Sequence, residues 1–295
     1  IDNNNNIYIL GKRLKTDVVS PSYFQNTGDQ NTIILMQDVI SKYDPNGKHV
    51  WSTFYFNNQS HIWGIAAGSG GLYIYGHEFL TTSTSSYFGT TNSHQRNASG
   101  VTKHADPNSS KNTFLSKFSF DGIRLWSTYF GTQISNVPLQ QTIMNNKNLE
   151  VVGDEAYIIT DHYLPNGVNN QIHTSDAAIQ TRNDITEAKT LTKFAPDGKR
   201  VFTSYLYDTE FMHVTPNNEI MLSGTNNLSI RLPQGTSDAY QQNLVGSHDN
   251  ITYIISSDGK KLSYLSYFGD TGKDNGIAIP SKNGYYVVGS SVDYP

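Results

Sequence analysis

Apolar and polar residues alternate in short runs along this chain, and most runs end at Gly, Asn or Asp. One pattern occurs four times: Ser41-Lys-Tyr-Asp-Pro-Asn-Gly47-Lys-His-Val-Trp51-Ser-Thr-Phe54, Ser116-Lys-Phe-Ser-Phe-Asp-Gly122-Ile-Arg-Leu-Trp126-Ser-Thr-Tyr129, Thr192-Lys-Phe-Ala-Pro-Asp-Gly198-Lys-Arg-Val-Phe202-Thr-Ser-Tyr205 and Ile254-Ile-Ser-Ser-Asp-Gly259-Lys-Lys-Leu-Ser-Tyr264-Leu-Ser-Tyr267. By subtraction, the turn glycines lie 75, 76 and 61 residues apart. A second pattern, a polar turn followed by a short apolar run, alternates with the first. Its copies are Asn4–Gly11, Gly70–Gly76, Gly153–Thr160, Asn217–Gly224 and Asn283–Gly289. Thr160 stands where the other copies have Gly.

Asp-Gly between two apolar runs is a hairpin signal, because Gly adopts the positive φ that tight turns require. Asn-Asn and Asn-Gly serve the second hairpin in the same way. Two hairpins per repeat give four antiparallel strands in up-and-down order. No segment keeps a helical stripe over three turns; the nearest, 176–192, is interrupted at Asn183-Asp184. The fold class expected is all-β, a β-propeller of four-stranded antiparallel blades. One domain over 1–295 is expected to hold repeats at about 1–60, 61–135, 136–210 and 211–272, with a partial fifth at 273–295. Asn4–Gly11 and Asn283–Gly289 duplicate one strand of the repeat, so the expectation is a fragment of a larger propeller with further blades. The third blade, weakly matched at 145–152, is expected to be irregular. An aromatic recurs at Trp51, Trp126, Phe202 and Tyr264. It follows the turn Gly by four residues in three copies and by five in the last, where the extra residue predicts a bulge. These aromatics are read as packing between repeats rather than as a platform for sugars.

Composition narrows the function. The 295 residues carry 25 acidic and 21 basic side chains, so no basic excess is available for nucleic acid. Tyr (19) and Phe (13) favour a pleated, half-buried surface. The absence of Cys excludes disulfides, thiolate zinc, iron–sulfur clusters and a Cys nucleophile. Apolar stretches such as Ile33–Met36 fall far short of the ~20 residues of a membrane helix, so no membrane insertion is expected.

The alternation of Gly-Ile-Ala-type strands and Asn-x-Tyr-Val-x-Gly runs with Asp-Gly-x-x-Leu-x-Ser-Thr-Tyr hairpins resembles the bacterial seven-bladed β-propeller repeat family, SBBP. The linker segments Ser237-Asp-Ala-Tyr-Gln241, Ser175-Asp-Ala-Ala-Ile-Gln180 and Val292-Asp-Tyr-Pro295 are similar to linkers of that family. The Asn-rich, Cys-free style resembles secreted Bacteroidetes surface proteins exported by type IX secretion. The resemblance implies an extracellular or outer-cell-surface location. It implies adhesion, or contact with other cell-envelope or secretion-system proteins or with surface glycans.

Candidate chemistry is sparse. The residues following the second pattern give Lys12-Arg13, His77-Glu78, Asp161-His162, Thr225-Asn226 and Ser290-Ser291, and are read as loops. Lys12, Arg13, His77, Glu78, Asp161 and His162 are the candidate binding residues. Two His and two carboxylates there would make a metal or acid–base group only if they converge. No catalytic residue, metal site or cofactor is expected, since Gly-x-Ser-x-Gly, His-Glu-x-x-His and phosphate-loop motifs are absent. The Asp-Pro-Asn-Gly47 turn and Asp106-Pro-Asn108 lack a calcium-ligand series, and Asn-x-Ser/Thr at Asn58, Asn97, Asn108, Asn227 and Asn250 is read as chance. The function expected is a non-catalytic interaction or scaffolding module in a larger secreted or surface assembly, with contacts from the long connection 81–112 and the candidate residues. The alternative is a carbohydrate-active enzyme, a glycan lyase or hydrolase using the propeller channel.

Overall fold

The structure, a computed structural model, describes residues 1–14, 16–17, 24–25, 28, 36–57, 60–79, 85–98, 111–131, 149–163, 172–181, 187–215, 218–227, 233–272, 274–281 and 284–290. Asn58, Asp106, Asn108, Ser291 and Val292–Pro295 lie outside them. Among the described residues the fold is all-β and antiparallel. The first sheet holds β1 (Ile7–Leu14), β2 (Met36–Tyr43) and β3 (His49–Phe54). The second runs β4 (Ser60–Ala67), β5 (Leu72–Phe79), β6 (Lys111–Phe118) and β7 (Arg124–Phe130), paired in chain order. The third contains β8 (Leu149–Val152), β9 (Glu155–Tyr163), β10 (Glu187–Phe194) and β11 (Arg200–Tyr205). The fourth contains β12 (Phe211–Val214), β13 (Ile220–Asn227), β14 (His248–Ile255) and β15 (Leu262–Phe268); β16 (Asn275–Ser281) pairs with β17 (Gly284–Ser290). The weakly matched third repeat therefore keeps all four strands, its first reduced to Leu149–Val152. The chain divides into two compact units, 1–157 with 194–200 and 158–193 with 201–295.

The Asp-Gly hairpins close as expected. Gly47, Gly122, Gly198 and Gly259 have φ of 79°, 80°, 83° and 76°, each donating its N–H to the carbonyl three residues back. In the first two turns the first residue caps the loop with its side chain: Asp44 Oδ1 accepts from the Asn46 and Lys48 amides, Ser119 Oγ from those of Asp121 and Ile123. The bulge expected in the fourth copy is present, at Ile254/Ile255, but it is not particular to that copy. A register shift precedes the aromatic not only at Ile254/Ile255 but also at Lys42/Tyr43 and Lys117/Phe118. The extra residue of the fourth copy lies in the turn instead. Its closing amide, on Ser256, bonds to the Lys261 carbonyl, whereas Asp44, Ser119 and Ala195 bond to Lys48, Ile123 and Lys199. A turn absorbs an added residue without displacing any side chain from its face, which a slip in the strand would do.

Trp51, Trp126 and Phe202 are buried and Tyr264 is half-buried. In the first unit Trp51 Nε1–H donates to the Phe120 carbonyl at 3.1 Å and Trp126 Nε1–H to the Pro196 carbonyl at 2.7 Å. Each acceptor belongs to the Asp-Gly turn of the following sheet. The lysine paired with each Trp reaches the same oxygen: Lys42 Nζ to Phe120 at 3.0 Å and Lys117 Nζ to Pro196 at 3.5 Å. In the second unit Lys193 Nζ reaches the Ser257 carbonyl at 3.4 Å, and Phe202 lies flat against Gly259. A Cβ on Gly259 would collide with the Phe202 ring, and one on Gly198 would stand 2.7 Å from Trp126.

The connection between the second and third strands of each repeat docks on the fourth strand. Thr53, Thr128, Ser204 and Ser266 each accept with their hydroxyl from the amide of a connection residue (Gln25, Gln95, Ile179 and Gln241 respectively), whose carbonyls accept from the amides of Phe54, Tyr129, Tyr205 and Tyr267. The outer edge of the sheet is thereby paired rather than left open. Within the long connection 81–112, the segment 85–98 lies along β7, with the Thr90 amide on Ser127 O and the Gln95 amide on Thr128 Oγ1.

Two stability outcomes follow. Gly47→Val, whose Cβ would meet no other atom, costs about 1–3 kcal/mol through strained positive φ alone. Gly198→Val costs more, because its Cβ also meets Trp126; urea midpoints in the reverse order would contradict the packing. Trp126→Ala costs about 3–5 kcal/mol, as for a large core aromatic, and a midpoint at wild type would show that the ring does not hold the turn.

Candidate functional site

The candidate residues lie in strands, not loops, because cross-strand pairing continues past the apolar run. Lys12 and Arg13 are in β1 opposite Asp38 and Gln37; His77 and Glu78 are in β5 opposite Thr113 and Asn112. Asp161 and His162 are in β9, Thr225 and Asn226 in β13, and Ser290 ends β17. This corrects the reading of these positions as loops.

In the first unit the most polar group forms around Asp38, which is buried. Its Oδ2 accepts the Ile62 amide at 2.8 Å and lies 4.0 Å from His61 Nδ1, while Oδ1 is 3.7 Å from Lys12 Nζ. Burial pushes its carboxyl above the usual carboxylate range, against the pull of the Ile62 N–H, Lys12 and His61. His77 is buried beneath Trp63, whose Nε1–H donates to His77 Nδ1 and whose ring stacks on it at 5.4 Å; the His61 ring is 5.7 Å away. Glu78 is also buried. Its Oε1 accepts from Asn57 Nδ2 at 2.6 Å and Ser85 Oγ at 2.9 Å, and its Oε2 from Tyr129 OH at 2.5 Å. Burial raises its pKa, and those three donors oppose the rise. Arg13 is exposed.

In the second unit Asp161 Oδ1 lies 3.9 Å from Lys189 Nζ. His162 is fully buried, its Nε2 2.9 Å from both Thr160 Oγ1 and Thr190 Oγ1, which are 3.0 Å from each other. The hydroxyl of Thr160, at the position filled by Gly in other repeats, thus joins a buried polar triangle. Burial lowers the His162 pKa to about 3, so the ring is neutral at pH 7. A shallow cleft of about 420 Å³ in the same unit is lined by Asp176, Lys193, Phe202, Ser257, Asp258 and Lys260, with Asp176 and Lys260 paired at 2.7 Å.

Sequence reasoning passed over Asp38, Lys189 and Asn250, the partners across from Lys12, Asp161 and Thr225. Each lies nine residues before its turn Gly, a spacing visible in the sequence. Each reaches the backbone at the entry of the next sheet: Asp38 the Ile62 amide, Lys189 Nζ the Thr209 carbonyl at 2.5 Å, Asn250 Nδ2 the Gly276 carbonyl at 2.5 Å. The geometry places these polar groups on intrachain bonds. Among the described residues no three His, Asp or Glu side chains gather into a group that would hold a metal ion, and no helix is long and apolar enough to cross a membrane. A comparison with models of known protein families finds no match, and a comparison with curated proteins finds none.

The buried His162 makes stability fall with acid. Its folded pKa is depressed below the unfolded ~6.5, so the unfolded state takes up the proton first and stability is lost as pH falls from about 6.5 toward about 3. Between pH 7 and pH 5 the loss is on the order of 2 kcal/mol. His162→Gln flattens that part of the curve; an unchanged slope in urea titrations at the two pH values would show that His162 is not the titrating group.

Proposed function

We propose that this chain is a β-propeller segment of the SBBP kind acting as a non-catalytic interaction or scaffolding module at the cell surface or outside the cell. The observation that carries the reading is a repeated, outward-held apolar residue. Val50, Leu125 and Val201 immediately precede the ring residues Trp51, Trp126 and Phe202, and each is about half exposed, at 45%, 51% and 47%. The shift that turns the ring inward at Trp51 and Trp126 turns its neighbour out. Leu125 is joined by Ile123, at 60%. Exposed apolar side chains at equivalent register in successive sheets suit contact with a cell-envelope protein or the apolar faces of a surface glycan. The buried bonding of Glu78 and His162 fits scaffold positions better than contact positions.

The test is binding of the purified chain to intact cell envelopes and to a glycan array, beside a Val50→Ser, Leu125→Ser, Val201→Ser variant. Saturable binding that the variant loses at least tenfold supports the reading. Release of reducing ends or unsaturated sugars from a polysaccharide would replace it with the carbohydrate-active enzyme.

A further inference from the structure

The cleft in the second unit opens where β10 and β11 meet the turn that ends at Gly259. Its volume, about 420 Å³, falls within the range of small-ligand sites, ~300–1,000 Å³. The first unit builds the same junction around the turn that ends at Gly198, with other side chains. There Trp126 puts its indole N–H on the Pro196 carbonyl at 2.7 Å. Lys117 Nζ bonds that carbonyl at 3.5 Å and Asp154 Oδ2 at 2.5 Å. In the second unit the ring is Phe202, smaller than an indole and without an N–H. Asp154 stands two residues before the first buried position of its strand, Ala156; the residue two before Ile220 is Asn218. The cleft thus lies at a junction where the first unit has Trp and Asp and the second has Phe and Asn.

Three kinds of group line the space. Phe202 and Val201 supply an apolar wall. The Ser257 carbonyl, 3.4 Å from Lys193 Nζ, is an acceptor with two lone pairs. Lys193 brings an ammonium with three N–H donors. Lys193 is buried, whereas Asp176 and Lys260, paired at 2.7 Å, are each more than half exposed and cancel each other's charge at the rim. Asp258 is committed to the turn, its Oδ1 accepting from Ser256 Oγ at 2.6 Å and from the Lys260 amide at 3.1 Å.

We infer that this cleft binds one residue of an acidic glycan, a hexuronate. Its carboxylate meets Lys193 Nζ, a hydroxyl donates to the Ser257 carbonyl, and the apolar face of its ring lies on Phe202 and Val201. A charge-assisted bond of this kind is about twice as strong as a neutral one. A sugar suits the lining better than an acidic peptide, because one ring brings a hydroxyl donor, an apolar face and a carboxylate together. The inference rests on the reading of the chain as a module that contacts surface glycans, and it names the class of glycan.

Calorimetric titration of the purified chain with tetragalacturonate, its methyl ester and tetraglutamate tests it. The wild type is expected to bind tetragalacturonate saturably and the uncharged ester at least tenfold more weakly. Phe202→Trp fills the cleft with the side chain the first unit uses, and is expected to lower the affinity at least tenfold with an unchanged circular dichroism spectrum. Lys193→Gln is expected to abolish the difference between acid and ester; should it not fold, the acid–ester comparison on the wild type decides. No saturable binding by the wild type, equal binding of acid and ester, or a Phe202→Trp variant that binds as the wild type does overturns the inference. Tetraglutamate bound as tightly as the uronate overturns it in favour of an acidic peptide. Binding to cell envelopes separates this site from the reading it rests on. A wild type that binds envelopes and ignores the uronate overturns the cleft alone, and one that binds the uronate and ignores envelopes overturns the module alone.

Discussion

The turns that end at Gly122, Gly198 and Gly259 are each gripped by the sheet before them. A lysine of that sheet reaches the carbonyl of the second turn residue, and at Gly198 and Gly259 a ring lies on the turn glycine. At Pro196, Trp126 and Lys117 share one oxygen, and Gly198 leaves room for the ring. That oxygen would otherwise be a carbonyl turned toward an apolar ring, so the donors satisfy it while the ring removes water. The grip also explains the lysines. Lys42, Lys117 and Lys193 are buried, a state that costs too much for an ammonium unless it is bonded. Lys117 gains a second partner in Asp154 Oδ2, at 2.5 Å. Where the fourth repeat puts Ile254 in place of lysine, the ring is Tyr264, bonded through its hydroxyl to Tyr285.

A second constraint works at the opposite edge of each sheet. The last strand of a meander has an unpaired row of amides and carbonyls, and such edges invite pairing with other chains. Here the connection returns to that edge and is fastened on both sides of one peptide, by the Ser or Thr hydroxyl and by the amide of the residue after it. The recurring Gln of the connection adds a local clasp: Gln95 Nε2 donates to the Asn97 carbonyl and Gln241 Nε2 to that of Asn243, both at 2.9 Å. Connections of different length can therefore end in the same short docking segment.

The strands, the glycine turns and the packing role of the aromatics were legible in the sequence because each rests on local rules, period-two alternation and the need for positive φ. What was not legible depended on partners distant in the chain. His77 and Glu78 look like the start of a loop, because polar residues follow an apolar run and a Gly. They stay in the strand because β6 continues opposite them. The connection 85–98 looks like a solvated loop until β7 is in place to receive it. The bulge was assigned to the one copy with an odd spacing, yet the register shift recurs at Trp51 and Trp126, where the spacing is regular.

The candidate polar residues show why residue type alone misled. Lys12 faces Asp38 in one repeat, and Asp161 faces Lys189 in another, with the signs exchanged. The exchange follows the backbone group of the next sheet. Where that group is the Ile62 amide, the reaching side chain is an acceptor, Asp38, and its strand neighbour is cationic. Where it is the Thr209 carbonyl, the reaching side chain is a donor, Lys189, and the neighbour is anionic. Where it is the Gly276 carbonyl, a neutral donor, Asn250, needs no counter-ion and faces Thr225. A half-buried charge is tolerable when its opposite lies across the strand pair, so the choice of one residue fixes the other. Lys12 and Asp161, which read as members of a scattered binding set, thus answer to one demand, that the residue across from each bond to a backbone group at the entry of the sheet that follows.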